Sequence, residues 1–289
     1  MLKKIRIWLA VIMFGGMLWL FTNSGTNVYG LSFLAKLQII PALLSFNLFV
    51  LGLWLMATLL GGRLYCSFIC LLGIMQEIFS YLGAKFRRQP KFVFRSPRNK
   101  VNNARYICVS IYAIALVGGL SYIVSFLDPY AIFGRLAANF FNPISIWIDN
   151  KIAAQLAETS ISSTNQVQYF TIDWLNFAIS GLWGLIVITM SFFSGRLYCN
   201  SICPVGATLG FISCHSLYQV EIDRQKCIKC GLCARNCQAE CIDISHGDID
   251  NSRCIKCFNC LDICHKGAIS FSRKPIIFQI SSENDQVEK

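Results

Sequence analysis

The chain has 289 residues, 55% of them hydrophobic and 14% charged, with a mean hydropathy of +0.52. That balance belongs to a membrane protein rather than a soluble one. The net charge of +11 does not mark a nucleic-acid binder, because the Lys and Arg residues flank the apolar runs as they do on a cytoplasmic membrane face.

Lys3, Lys4 and Arg6 precede an uncharged run that begins at Ile7 and passes Trp19. A signal peptide starts the same way, but TNSGTNVYG after Phe21 offers no small-x-small cleavage pair, so a retained first transmembrane helix is expected. Residues 37–62 carry no charge and are expected to cross a hydrocarbon core of about 30 Å as the second span. The run GGRLYCSFICLLG follows at 61–73. Beyond it Ile74, Ile78, Phe79, Tyr81 and Leu82 suit the apolar face of an interfacial helix that ends at Lys85, Arg87 and Arg88. The loop 63–105 holds nine Lys or Arg and one acid, Glu77, and reads as cytoplasmic. A third span is expected at 106–127, an external segment containing LDPYAIFGRL as far as Asp173, and a fourth span at 174–195. No span interior contains a charge, which leaves no intramembrane proton relay.

SGRLYCNSICPVG at 194–206 then repeats the earlier run at a constant offset of 133 residues. Arg63, Tyr65, Cys66, Cys70 and Gly73 correspond to Arg196, Tyr198, Cys199, Cys203 and Gly206. The membrane part therefore reads as two copies of a unit made of two spans, a GRLYCxxxC motif and an interfacial helix. A CxxxC step places two thiols one helical turn apart. Two copies bring Cys66, Cys70, Cys199 and Cys203 together as one metal or redox site, or else leave four separate thiols, with Arg63 and Arg196 snorkelling to lipid phosphates. An arginine beside a cysteine favours the thiolate.

Eight of the remaining cysteines form two runs, CIKCGLCARNC at 227–237 and CIKCFNCLDIC at 254–264. Each is CxxCxxCxxxC, the pattern of a two-cluster ferredoxin in which three close thiolates hold one iron–sulfur cube and the fourth reaches to the other. Cys227, Cys230, Cys233 and Cys264 are expected to hold one [4Fe-4S] cluster, and Cys254, Cys257, Cys260 and Cys237 the second. A zinc site takes paired CxxC steps and has no use for a third cysteine at this spacing. The residue after the fourth cysteine is commonly proline, whereas here it is Gln238 or His265. Cys241, a ninth cysteine in this domain, reads as a buried thiol.

Apart from Cys108 inside a span, every cysteine falls on the side rich in Lys and Arg, which points to reduced, metal-binding thiols in the cytoplasm. Intramembrane haem is not expected, because His215, His246 and His265 all lie outside the spans. Neither a Walker A run nor GxGxxG is present to bind a nucleotide.

Repeated GRLYCxxxC after a span, followed by two four-cysteine runs, resembles the NapH family of membrane ferredoxins, whose relatives include MauN and the membrane part of NosR. LDPYAIFGRL is similar to a segment of that family. The resemblance extends from the first span to Cys264. It implies a multi-pass protein of the bacterial inner membrane, with four spans, both termini cytoplasmic and two [4Fe-4S] clusters. It also implies a quinol dehydrogenase component, passing electrons from the quinone pool toward periplasmic reductases through a ferredoxin, cytochrome or reductase subunit. The family pattern is CxxxCP in both copies; Pro204 follows Cys203, but Leu71 follows Cys70, which sets the first copy's local geometry apart. CcoG-type proteins, linked to copper reduction during oxidase assembly, share the paired motifs and a ferredoxin segment but are longer, with an immunoglobulin-like domain.

The sequence thus predicts a mainly α membrane protein with four transmembrane helices in two internal repeats (1–105 and 106–220), a small C-terminal α+β two-cluster ferredoxin domain (221–271) and a polar tail (272–289). Its expected work is electron transfer between quinone and a redox partner. A thiol or iron–sulfur metal-ion reductase and a structural or redox-sensing subunit are the alternatives.

Overall fold

The computed structural model describes residues 2–22, 31–86, 92, 94, 100–157 and 173–273, so Arg87, Arg88 and most of the polar tail lie outside the described residues. Among the described residues two helices are long and apolar enough to cross a membrane: α1 (Leu2–Thr22), expected as the first span, and α11 (Trp174–Ser194), expected as the fourth. Each has 21 residues and spans about 31 Å at the helical rise. Asp173 caps α11 by accepting from Leu175 N–H at 3.2 Å.

The second and third runs differ from expectation, because neither is one continuous helix. Residues 31–61 divide into α2 (Ser32–Lys36), α3 (Ile39–Leu44) and α4 (Leu48–Gly61). Phe46 adopts φ +52° at the break, and Asn47 restarts the helix by accepting from Val50 N–H at 3.3 Å. At 14 residues α4 covers about 21 Å, less than a full hydrocarbon core. The third run likewise divides into α7 (Lys100–Val117) and α8 (Ser121–Leu127), parted at Gly119, whose φ of +70° a side chain would oppose. Asp128 then caps α9 (Pro129–Leu136), a π-helical turn follows over Ala137–Phe141, and α10 (Asn142–Ala157) ends this part. The described part of the segment expected to be external packs against α1, α11 and the helix Leu71–Phe86.

Each GRLYCxxxC motif makes a short helix, a turn and a second helix. These are α5 (Leu64–Phe68) and α6 (Leu71–Phe86) in the first copy, and α12 (Leu197–Ser201) and α13 (Pro204–Ser213) in the second. The expected interfacial helix α6 buries its first turns and packs along α11, where Gly83 meets the backbone of Phe192. Only Ile78, Tyr81, Leu82, Lys85 and Phe86 of α6 are exposed.

The C-terminal unit is α+β. Strand β1 (Tyr218–Ile222) pairs antiparallel with β4 (Ile269–Arg273), Tyr218 opposite Arg273, and β2 (Ile242–Asp243) pairs with β3 (Asp248–Ile249). Two single-turn helices, α14 (Leu232–Arg235) and α15 (Asn259–Ile263), carry cysteines. The unit docks through backbone bonds from Leu217 N–H to Leu59 O at 2.8 Å and from Arg196 N–H to Gln238 O at 2.9 Å.

Candidate metal centres

The two cysteine runs fold into matching loops. Lys229 and Lys256, at equivalent places, take φ of +55° and +52°, and Gly231 and Phe258 take +74° and +61°. Left-handed residues between right-handed ones turn successive N–H groups to one side, which forms a nest for a negatively charged group. A glycine in the first run suits this conformation, and the second run adopts it even at phenylalanine.

These loops bring the expected ligands together in two groups. Cys227, Cys230, Cys233 and Cys264 line one cavity of about 140 Å³. Cys237, Cys254, Cys257 and Cys260 line a second, tighter one of about 20 Å³, so the fourth cysteine of each run does cross to the other loop's cavity. Among the described residues no three His, Cys, Asp or Glu side chains close to single-ion spacing. A cubane does not ask for that, since each of its four thiolates binds a different iron. The residues present therefore fit an iron–sulfur cluster.

Cys241 is more than a buried thiol. It also lines the second cavity, with its Sγ 3.4 Å from Cys237 Sγ. A hydrogen bond from the Cys241 side chain, with help from Lys256, holds the Cys254 thiol down to about 6 despite its burial.

The paired motifs meet in a reciprocal exchange. Arg63 Nη2 donates to Cys199 O at 3.1 Å, while Arg196 Nη1 donates to Cys66 O at 2.6 Å, so each repeat's arginine holds the other repeat's cysteine loop. Both guanidiniums are essentially fully buried, which excludes snorkelling to lipid phosphates. Glu77 accepts from Arg6 Nη1 and Nη2 and from Arg196 Nη2, all at 2.6 Å. Burial pushes the Glu77 carboxyl up, but Arg196 and Arg6 outweigh it and hold it below the usual carboxylate range. The sequence pattern does not mark Arg6 or Glu77 as a partner of the motif. The signal it does carry is a single acid in a loop of nine cations.

All four CxxxC thiols are buried and near enough to influence one another's charge. The expectation that arginine favours the thiolate is overturned by burial. Desolvation, reinforced by Cys66, lifts the Cys199 thiol to about 11 although Arg196 and Arg63 pull it down, and burial likewise raises Cys70 and Cys203. Raised in this way, the thiols of Cys70, Cys199 and Cys203 favour the protonated form, and a bound cation would have to displace those protons.

Leu71 leaves the first copy's geometry intact. Cys70 N–H donates to Tyr65 O and Cys203 N–H to Tyr198 O, both at 3.0 Å, and a helix begins immediately after each cysteine. Pro204 sits at the first helical position, where proline is merely pre-set for a conformation that leucine also adopts.

Gly206 and Gly73 make this exchange sterically feasible. A Cβ at 73 would lie 2.5 Å from Cys66 O, and one at 206 would strike Cys199 O as well as Arg63 Nη2. Gly206→Ala is expected to cost about 1–3 kcal/mol through overpacking. Gly15→Ala is the control, since open space surrounds that position. Thermal unfolding in detergent should separate the two, and equal midpoints would refute the packing argument.

Comparison with known proteins agrees with the iron–sulfur chemistry. A family described as a 4Fe-4S binding domain matches residues 43–89 and 175–215, which are the two CxxxC units. YccM of Escherichia coli (strain K12), whose name places it in electron transport, is 22% identical over 200 residues, 68% of this chain and 47% of its own. The methylamine utilization ferredoxin-type protein MauN of Methylobacillus flagellatus is 26% identical over 62% of this chain and 49% of its own. The regulatory protein NosR of Pseudomonas aeruginosa is 25% identical over 68% of this chain and 23% of its own. The chain thus spans about half the length of YccM and MauN and under a quarter of NosR. No solved structure matches it. The chain thus carries two segments that match a 4Fe-4S binding domain and is similar to an electron transport protein, a ferredoxin-type protein and the regulatory protein NosR.

Proposed function

We propose that the chain is a quinol dehydrogenase component of the bacterial inner membrane, with both termini and the ferredoxin unit cytoplasmic. In this reading Cys227, Cys230, Cys233 and Cys264 bind one [4Fe-4S] cluster and Cys237, Cys254, Cys257 and Cys260 the other. Together they relay electrons one at a time between the quinone pool and a ferredoxin, cytochrome or reductase subunit. Cys66, Cys70, Cys199 and Cys203 bind a further metal or cluster.

The observation that carries the reading is the position of Arg63, which joins the membrane thiols to the second ferredoxin cavity. Its Nη2 lies 4.0 Å from Cys66 Sγ, and its Nη1 donates to Ser252 O at 3.2 Å, two residues before Cys254. The two thiol groups are thus held in one packed unit, as a relay requires, and the clusters would supply one-electron storage there. The chain's own part is to exclude water and fix their spacing. A metal-ion reductase working on ions from solution is less well served by the quartet, whose four thiols are all buried.

The test is anaerobic EPR on the lipid-reconstituted protein after addition of a reduced menaquinol analogue. Cluster signals are the expected result; signals appearing with dithionite alone would overturn quinol as donor. Replacing Cys199 and Cys203 together by Ser should lower bound metal while leaving the ferredoxin EPR signals unchanged. Unchanged metal content would remove the quartet from the metal sites.

A further inference from the structure

A cavity of about 820 Å³ lies between α1, α6 and the ferredoxin unit, outside the thiol sites. We propose that it is the binding site of the quinol, an inference that rests on the quinol reading above. The cavity is amphipathic along its length. Ile7, Ala10, Val11 and Phe14 form the apolar stretch of its α1 wall, next to Lys3 and Arg6, and Ile7 and Val11 also face outward, where a helix of this composition meets lipid. An isoprenoid tail has the chemistry of that wall.

The opposite end is polar and belongs to the ferredoxin unit. Gln238 directly follows Cys237, and Asn259 lies between Cys257 and Cys260, so the cavity's inner end abuts three cysteines of the second group. A quinol ring seated there lies beside its electron acceptor.

Two buried groups in the wall await a partner. Among the described residues, none hydrogen-bonds Ser80 Oγ or Gln238 Oε1, although both residues are more than nine-tenths buried. An unpaired buried polar group is costly, and a ligand that supplies its partner recovers that cost. Both atoms are closed off from the cavity as it stands, so a quinol hydroxyl reaches Gln238 Oε1, and its second oxygen Ser80 Oγ–H, only once these side chains turn toward the ring. Gln238 occupies the position where a ferredoxin run commonly has proline, a residue without any side-chain polar group. The departure from the cysteine pattern thus places an amide where this ligand needs one.

Oxidation of one quinol to quinone releases two electrons and two protons. Two [4Fe-4S] clusters, held by the cysteine groups of Cys227 and of Cys254, would take one electron each. The protons leave to water at the partly exposed rim, where Lys3 Nζ meets Asp262 Oδ2 at 3.3 Å.

The inference is tested with an azido-naphthoquinone photolabel on the lipid-reconstituted holoprotein, followed by peptide mapping. The test is paired with the rate at which menadiol reduces the clusters. Label in α1 or α6, displaced by excess menadione and not by phosphatidylglycerol, is the expected result. Ala84→Phe, which fills the wall of the cavity away from every cysteine, should slow menadiol reduction about tenfold or more. Gln238→Leu should slow it as well, while dithionite-reduced EPR spectra of both variants match the parent's. Rapid reduction of the parent by menadiol with label elsewhere, with label displaced by phospholipid, or with both variants at parental rate would overturn the site and leave the quinol reading standing. A parent that menadiol does not reduce would overturn the quinol reading and this site with it.

Discussion

Combining Cys237→Ser with Cys257→Ser is expected to remove only one [4Fe-4S] cluster. The two cysteines belong to different runs, yet they line the same cavity. If each run held its own cluster, the double variant would lose both. With crossed ligation, about four irons per chain disappear from the ferredoxin unit and about four remain. The remaining cluster keeps its EPR signal, held by Cys227, Cys230, Cys233 and Cys264. Cys237→Ser with Cys264→Ser is the counterpart, since it touches both cavities and should deplete both clusters. Iron analysis of the two double variants decides between the arrangements. Equal iron in both would refute the crossing.

Arg196→Met carries the largest expected loss of stability. The guanidinium is fully buried and serves Cys66 O and Glu77 at once, so its removal leaves a buried carbonyl unpaired and a buried carboxylate with Arg6 alone. Breaking a buried ion pair from one side costs about 3–5 kcal/mol. Arg196→Lys is expected to restore little, because one ammonium on a flexible stem does not reproduce two guanidinium contacts pointing different ways. Thermal unfolding in detergent and bound metal at the CxxxC thiols should fall together in both variants. A midpoint within a degree or two of the parent's would show that Arg6 alone satisfies Glu77.

The parts legible in the sequence are those governed by short-range pattern. CxxCxxCxxxC fixes which thiols share a loop, and the 133-residue offset alone is enough to pair Arg63 with Arg196. Helix breaks are less visible. An uncharged run from 37 to 62 satisfies a hydropathy criterion, but Asn47 starts a new helix within it, and Gly118 and Gly119 end one in the third run, through local chemistry that such a criterion ignores. The raised thiol of Cys199 escapes the sequence for a related reason. A neighbouring arginine is visible there, whereas the burial that outweighs it arises only when both repeats pack together. Long-range partners such as Glu77 with Arg196, 119 residues apart, leave no periodic trace.

The exchange of arginines between the two motifs also constrains how the protein is made. Cys66 emerges from the ribosome long before Arg196, the residue that secures its loop, so the first motif is made without its clasp. The second motif arrives with Arg63 already waiting for Cys199 O. Translation of the first motif and closure of the paired thiol loops are therefore successive events. An N-terminal fragment ending before residue 196 has the cysteines of the first motif but no means of closing them, and quality-control proteases would meet it as an unfinished site.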